Sequence, residues 1–111
     1  MKFTSRYRYA DISPRKIKPV ADLIRGKHVN DALQILRATT RKASFLVDKA
    51  LRSAVANADE SLEADMEGLR VKEVRVDEGP RRYKWHARAR GQAVAIRSRS
   101  SHINIVLDDG Q

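Results

Sequence analysis

The chain has 111 residues, a formal net charge of +9 and a sequence pI near 10.4, with aromatic residues only 5% of the total. That length makes one domain with a modest core, and so basic a surface points to nucleic acid or an anionic membrane. No apolar run approaches the roughly 18 residues of a spanning helix, and the absence of Cys excludes disulfides and thiolate metal sites.

Met1-Lys2-Phe3-Thr4-Ser5-Arg6 contains no continuous apolar region before a small-residue cleavage site, so no secretory signal is expected and the cytosol is the default compartment. Residues 2 to 12 alternate as a strand, with Phe3, Tyr7 and Tyr9 on one face and Thr4, Arg6, Arg8 and Ala10 on the other. Ser13-Pro14 reads as an N-cap followed by Pro at the first helical position. The helix it opens should end at Gly26, bury Ile17, Val20, Ala21, Leu23 and Ile24, and place Arg25 and Lys27 where cations suit the helix dipole. Pro19 lacks the N–H of the helix ladder and predicts a kink or an irregular first turn.

A short second helix is predicted from the N-cap Asn30 to Arg37 or Ala38, with Ala32, Leu33, Ile35 and Leu36 facing inward. Thr39-Thr40 offers the next cap. Ala43, Leu46, Val47, Ala50, Leu51, Ala54, Val55 and Ala58 then fall at steps of three and one, an uninterrupted helical face. Carboxylates oppose the dipole at a helix C-terminus, so the acidic run Asp59, Glu60, Glu63, Asp65 and Glu67 is placed in a solvated loop over 59 to 68. No His accompanies that run, and it carries no spaced ligand set for a metal.

The region from Leu69 to Leu107 reads as a long hairpin. Leu69, Val71, Val74 and Val76 mark its first strand, with a phase shift near Lys72-Glu73 that a bulge would cause. Ile103, Ile105 and Leu107 mark its second. Both Asp77-Glu78-Gly79-Pro80 and Arg88-Ala89-Arg90-Gly91-Gln92 have turn composition; the second is nearer the midpoint between the apolar ends, and pairing about it would put Val71 opposite Ile105, so the first is open to two readings, a turn or only a bend in a long arm. Arms from about Pro80 to Gly91 would project some 35 Å at roughly 3.3 Å per residue. With the second stretch as the tip, the globular part would be 1–78 with 100–111, and the extension about 79–99.

Residues 79 to 107 hold Arg81, Arg82, Lys84, Arg88, Arg90, Arg97 and Arg99 and no Asp or Glu. A charge run is ordinarily a solvated face. Here nothing offsets the self-repulsion, and Tyr83 and Trp85 sit inside the run, where an exposed ring gains little unless it stacks on a partner. Arg outnumbers Lys six to one in the run, which suits bidentate contacts to folded RNA. Catalysis finds no constellation: His28, His86 and His102 lack metal-ligand spacing, no Cys nucleophile exists, and none of the five Gly forms a phosphate loop. No cofactor or metal is expected. A free-standing regulator laying a basic β-ribbon in a DNA groove remains the alternative.

Ile12-Ser13-Pro14-Arg15-Lys16, Val20-Ala21-Asp22-Leu23-Ile24-Arg25-Gly26-Lys27, Ser53-Ala54-Val55-Ala56-Asn57-Ala58, Val76-Asp77-Glu78-Gly79-Pro80, Arg88-Ala89-Arg90-Gly91 and Ser101-His102-Ile103 occur in this order over nearly the whole chain. In them the chain resembles the bacterial large-subunit ribosomal protein twenty-two family. The resemblance implies an α+β fold: three helices packed on a three-stranded antiparallel sheet, with two strands extended into a long basic β-hairpin. It implies a structural constituent of the large subunit, bound as a monomer in the cytoplasmic ribosome with no membrane contact. The partners would be large-subunit ribosomal RNA, neighbouring ribosomal proteins at the tunnel constriction and exit, and the nascent polypeptide along the exit tunnel that the hairpin lines. RNA contacts are then expected from Arg81, Arg82, Lys84, Arg88, Arg90, Arg97, Arg99 and His102 on the hairpin, and from Arg6, Arg8, Arg15, Lys16, Arg25 and Lys27 on the globular part. The tip would comprise Trp85, His86, Ala87, Arg88, Ala89, Arg90, Gly91 and Gln92. Ala87 stands where the family usually has Pro, Gln92 where it usually has Arg, and Pro19 where it usually has Leu.

Overall fold

In this computed structural model the chain runs β1 (Lys2–Ala10), α1 (Pro14–Ile24), α2 (Val29–Ala38), α3 (Lys42–Glu60), β2 (Arg70–Glu78), β3 (Arg82–Ala87), β4 (Ala93–Ser98) and β5 (Ser101–Asp108). Residues 1–61, 65–87, 91 and 93–110 are described, with 82–87 and 93–98 as backbone alone. β1, β5 and β2 form an antiparallel sheet with β5 in the middle, and β3 and β4 form a separate two-stranded ribbon. Three helices on a three-stranded antiparallel sheet is the expected α+β class. The ribbon draws the molecule out to 64 × 24 × 17 Å.

The core lies between the helices and one sheet face. β5 alternates strictly, burying Ser101, Ile103, Ile105 and Leu107 and leaving His102, Asn104, Val106 and Asp108 half-buried on the other face. α3 packs across β1 and β5 with the face its periodicity predicts: Ala43, Leu46, Val47, Ala50, Leu51, Ala54 and Ala58 are buried. Its small residues let the sheet come close, so that Ser5 Oγ donates to the Ala50 carbonyl at 2.7 Å and satisfies a buried hydroxyl. Asn57 Nδ2 likewise donates to the Thr4 carbonyl at 2.9 Å.

Alternation in β1 fails at one residue. Tyr9 adopts φ +59°, the ladder to β5 slips between Tyr7 and Ala10, and Ala10 turns into the core while Tyr9 turns out. The predicted grouping of Tyr9 with Phe3 and Tyr7 is therefore wrong, and Ser5 takes the inward position between those two. A bulky residue at positive φ costs about 1–3 kcal/mol of backbone strain.

The helix ends depart from their predicted caps. Ser13 holds an extended backbone but makes no side-chain cap bond, and Pro14 alone marks the start of α1. α1 continues through Pro19 as one element, and Leu23, expected inside, is 48% exposed. The cap of α2 is His28 rather than Asn30: its Nδ1 accepts the Asn30 N–H at 3.2 Å while Nε2 meets the Glu67 carbonyl. One imidazole thus ties α2 to the turn before β2. The N-cap position of α3 is Arg41 rather than Thr39-Thr40, with Ser44 Oγ bonded back to the Thr39 and Arg41 carbonyls. Asp59 and Glu60 lie in the last turn of α3, where both are exposed to solvent that screens them from the dipole. Glu63 lies outside the described residues.

β2 carries the expected bulge between Val71 and Glu73. Its register differs from the predicted one, because Val71 faces Leu107 and Val74 faces Ile105. The bulge moves the phase, and so does the root of the ribbon: 79–81 are spanned on the way out against 99–100 on the way back. Asp77 and Glu78 are strand, and the break between β2 and β3 falls just after them, at 79–81. Gly79 suits the close approach there, since a Cβ would lie 2.5 Å from Ser100 Oγ and 3.3 Å from His102 Cε1. The Gly79 N–H donates to the Ser100 carbonyl at 2.8 Å, and Ser100 Oγ to the Pro80 carbonyl at 2.7 Å.

Candidate nucleic-acid interface

The ribbon is the first part of the interface. Arg82 pairs with Ser98, Tyr83 with Arg97, Lys84 with Ile96, Trp85 with Ala95, His86 with Val94 and Ala87 with Ala93. This ladder centres the hairpin on the second turn-like stretch, as expected, rather than on Asp77 to Pro80. Arg88, Ala89, Arg90 and Gln92 lie outside the described residues. Gly91 adopts φ +73°, a left-handed conformation that a residue without Cβ reaches freely.

A cleft of about 450 Å³ opens where the ribbon meets α1, lined by Arg15, Lys18, Arg81 and Arg99 together with Asp22, Glu78, Val76, Pro14 and Pro19. Glu78 accepts from Arg81 Nε at 2.7 Å, and this hydrogen bond, with the Arg81 charge and then those of Arg99 and Lys18, holds its carboxyl below the usual carboxylate range. Four cations against two carboxylates leave the cleft positive, a setting for a phosphate. Lys18 was not singled out by its sequence neighbourhood, although it stands one helical turn from Arg15 and shares its face.

The sheet face away from the helices is the third part. Arg6 pairs with Asn104, which pairs with Arg75, so a row crosses all three strands. Arg75 Nε contacts Asp77 at 3.3 Å and Asn104 Nδ2 donates to the same carboxylate at 3.2 Å. Arg6 and Arg8 are exposed on the edge strand β1. His102 accepts the Tyr9 N–H at Nδ1, 3.0 Å away, so its described contact is internal.

The six globular residues do not form one patch. Arg15 and Lys16 open α1, whereas Arg25 and Lys27 follow its far end, about 15 Å along the axis at 1.5 Å per residue. Arg25 is engaged within the fold: its guanidinium pairs with Asp22 and donates to the Val74 carbonyl at 2.7 Å, tying α1 to β2. Lys16 faces a second cleft with Ile12, Pro19, Arg41, Lys42 and Ala43. Arg41 and Lys42 were also missed by sequence reasoning; they are the N-cap and first residue of α3, one to two residues beyond the expected Thr39-Thr40 cap.

The chain's sequence is similar to those of known proteins. The family described as ribosomal protein L22p/L17e matches residues 5–108. A protein named large ribosomal subunit protein uL22 from Desulfitobacterium hafniense is 53% identical over 100 residues, which is 90% of this chain and 88% of that protein. Proteins of the same name from Pelotomaculum thermopropionicum and Halothermothrix orenii are 49% and 48% identical over 102 residues, 92% of this chain and 90% of each relative.

Proposed function

The chain belongs to the ribosomal protein L22p/L17e family, a structural rather than catalytic kind of protein, and from that premise we propose that it is built into the large ribosomal subunit in the cytoplasm and holds ribosomal RNA there. The observation that carries the RNA reading is charge placement. Residues 79 to 107 bear seven cations and no carboxylate, and within that stretch 82–87 and 93–98 pair as a two-stranded ribbon separate from the main sheet. Such a ribbon is marginal alone in water, and a polyanion along it supplies both counter-charge and order. Arg81, Arg82, Lys84, Arg97 and Arg99 contact phosphates along the arms, and Arg15 and Lys18 extend that track into the cleft at the root.

The tip, from Trp85 to Gln92, forms part of the wall of the nascent-polypeptide tunnel, beside neighbouring proteins at the constriction; the family resemblance supports this step. The body, 1–78 with 100–111, acts as one domain that anchors the hairpin as a monomer. The test is sedimentation of the tagged full chain from lysate, with expected recovery in the large subunit and in whole ribosomes. Recovery only from the free pool overturns the proposal. The isolated chain should also bind large-subunit RNA with an affinity that falls steeply with salt.

A further inference from the structure

β1 ends with an aromatic ring in solvent, held out by strained backbone. Tyr9 keeps φ +59° and its side chain is 60% exposed. Regular alternation would turn the ring to the side of Tyr7; the left-handed residue instead sends Ala10 into the core and the ring outward. An exposed ring adds nothing to the core, so its position serves another end.

The ring is also fixed in place. Its backbone N–H donates to His102 Nδ1 at 3.0 Å, and the two rings meet edge to face with centroids 5.0 Å apart and planes at 87°. His102 lies close to Gly79, where an added Cβ would stand 3.3 Å from Cε1. The Arg8 guanidinium lies 5.6 Å from the Tyr9 ring centroid. Asp77, opposite His102 in register, is engaged by Arg75 and Asn104. The site is therefore a rigid aromatic surface flanked by a cation, beside the root of the ribbon.

We infer that Tyr9 is a stacking platform for an unpaired nucleobase of large-subunit RNA, with Arg8 placed to meet that nucleotide's phosphate. This rests on the RNA-binding reading above and adds a contact of a different chemistry. A base offers the flat π-face that an open, immobile ring matches, and stacking needs it unpaired. Nδ1 is occupied as the acceptor of the Tyr9 N–H, which leaves Nε2 as the nitrogen of the His102 ring that can donate.

The full chain is titrated with a large-subunit RNA transcript at several salt concentrations, and its ultraviolet-irradiated complex is digested to map nucleotide adducts. Tyr9→Leu should weaken binding by about five- to thirtyfold, the loss of one stacked base, with the salt slope unchanged. Tyr9→Phe should bind within about twofold of the native chain. Arg8→Ala should lower the salt slope by about one phosphate's share. An adduct on the Tyr9 peptide is expected. A folded Tyr9→Leu chain that binds as tightly as the native one overturns the platform. If Tyr9→Leu does not fold, the native adduct map decides, and adducts only elsewhere overturn it. Failure of the native chain to bind the transcript overturns the RNA reading itself, a result distinct from failure of Tyr9 alone.

Discussion

Replacing Gly79 by Ala should loosen the joint between body and ribbon. The added methyl would sit 2.5 Å from Ser100 Oγ, 3.2 Å from the Ser100 carbonyl carbon and 3.3 Å from His102 Cε1. Rotation of the Ser100 hydroxyl relieves the first clash but breaks its bond to the Pro80 carbonyl, about 1 kcal/mol. The other two contacts require the strand and the imidazole to give by a few tenths of an ångström, about another 1 kcal/mol. Against this, φ at Gly79 is not left-handed, so Ala is allowed there and restricts the unfolded chain, returning about 0.4–1 kcal/mol. The net loss is about 1–1.5 kcal/mol, or about 4–6 °C in Tm for a domain of this size. Thermal and urea unfolding of Gly79→Ala, Ser100→Ala and the double variant measure it. The hydroxyl's bond can be lost only once, so the double variant should be about 1 kcal/mol more stable than the sum of the singles predicts. A Gly79→Ala chain as stable as the native one, or strictly additive losses, would refute the close-approach reasoning.

Ile105 is fully buried in the central strand, and Ile105→Ala should cost about 2–5 kcal/mol in urea unfolding, a large share of the roughly 5–15 kcal/mol that holds a domain. Ser13→Ala should change stability by no more than about 0.5 kcal/mol, because its hydroxyl caps nothing. His28→Ala should cost about 1–2 kcal/mol, because that ring caps α2 and reaches Glu67; equal effects at the two sites would contradict the cap assignment. The carboxyl of Glu78, followed by NMR, should titrate below its ordinary 4.5. Its folded value is the lower one, so the stabilisation from Arg81 is present above the unfolded value and disappears as pH falls through the folded value. Arg81→Ala should move the midpoint back up, and an unmoved midpoint would exclude that pairing as the cause.

What could be read in advance was what repeats along the chain. The face of α3 follows from step lengths between apolar residues, and the bulge at Lys72 from a break in a period of two. The basic hairpin follows from an imbalance of charge that needs no coordinates. What could not be read was set by contacts between segments far apart. His28 displaces Asn30 as a cap because Glu67 accepts from its other nitrogen, and Tyr9 leaves the alternation because His102 receives its N–H. Leu23 satisfies helical spacing yet is left about half exposed. In the candidate interface, composition identified the cations but not their engagements: Arg25 is committed to Asp22 and Val74, and Arg81 to Glu78. Lys18 counts through its place in a cleft that the packing of α1 on β2 creates beside Arg81 and Arg99.

The middle strand of the sheet is the last one in the chain. β1 and β2 do not touch each other; each is hydrogen-bonded to β5, so that Lys2 and Arg70 both wait for Asp108. During synthesis the helices can form and gather early, but until β5 emerges two strands stand with open edges and nothing between them. Those edges are what mispair with other chains, and closing the longest-range contacts last makes the sheet slow to form. The basic hairpin lies immediately before β5 in the chain. If the proposed RNA is met while the chain is still being made, the arm would be offered to the polyanion before the sheet is closed, and the order in which residues appear would couple completion of the fold to engagement of that partner.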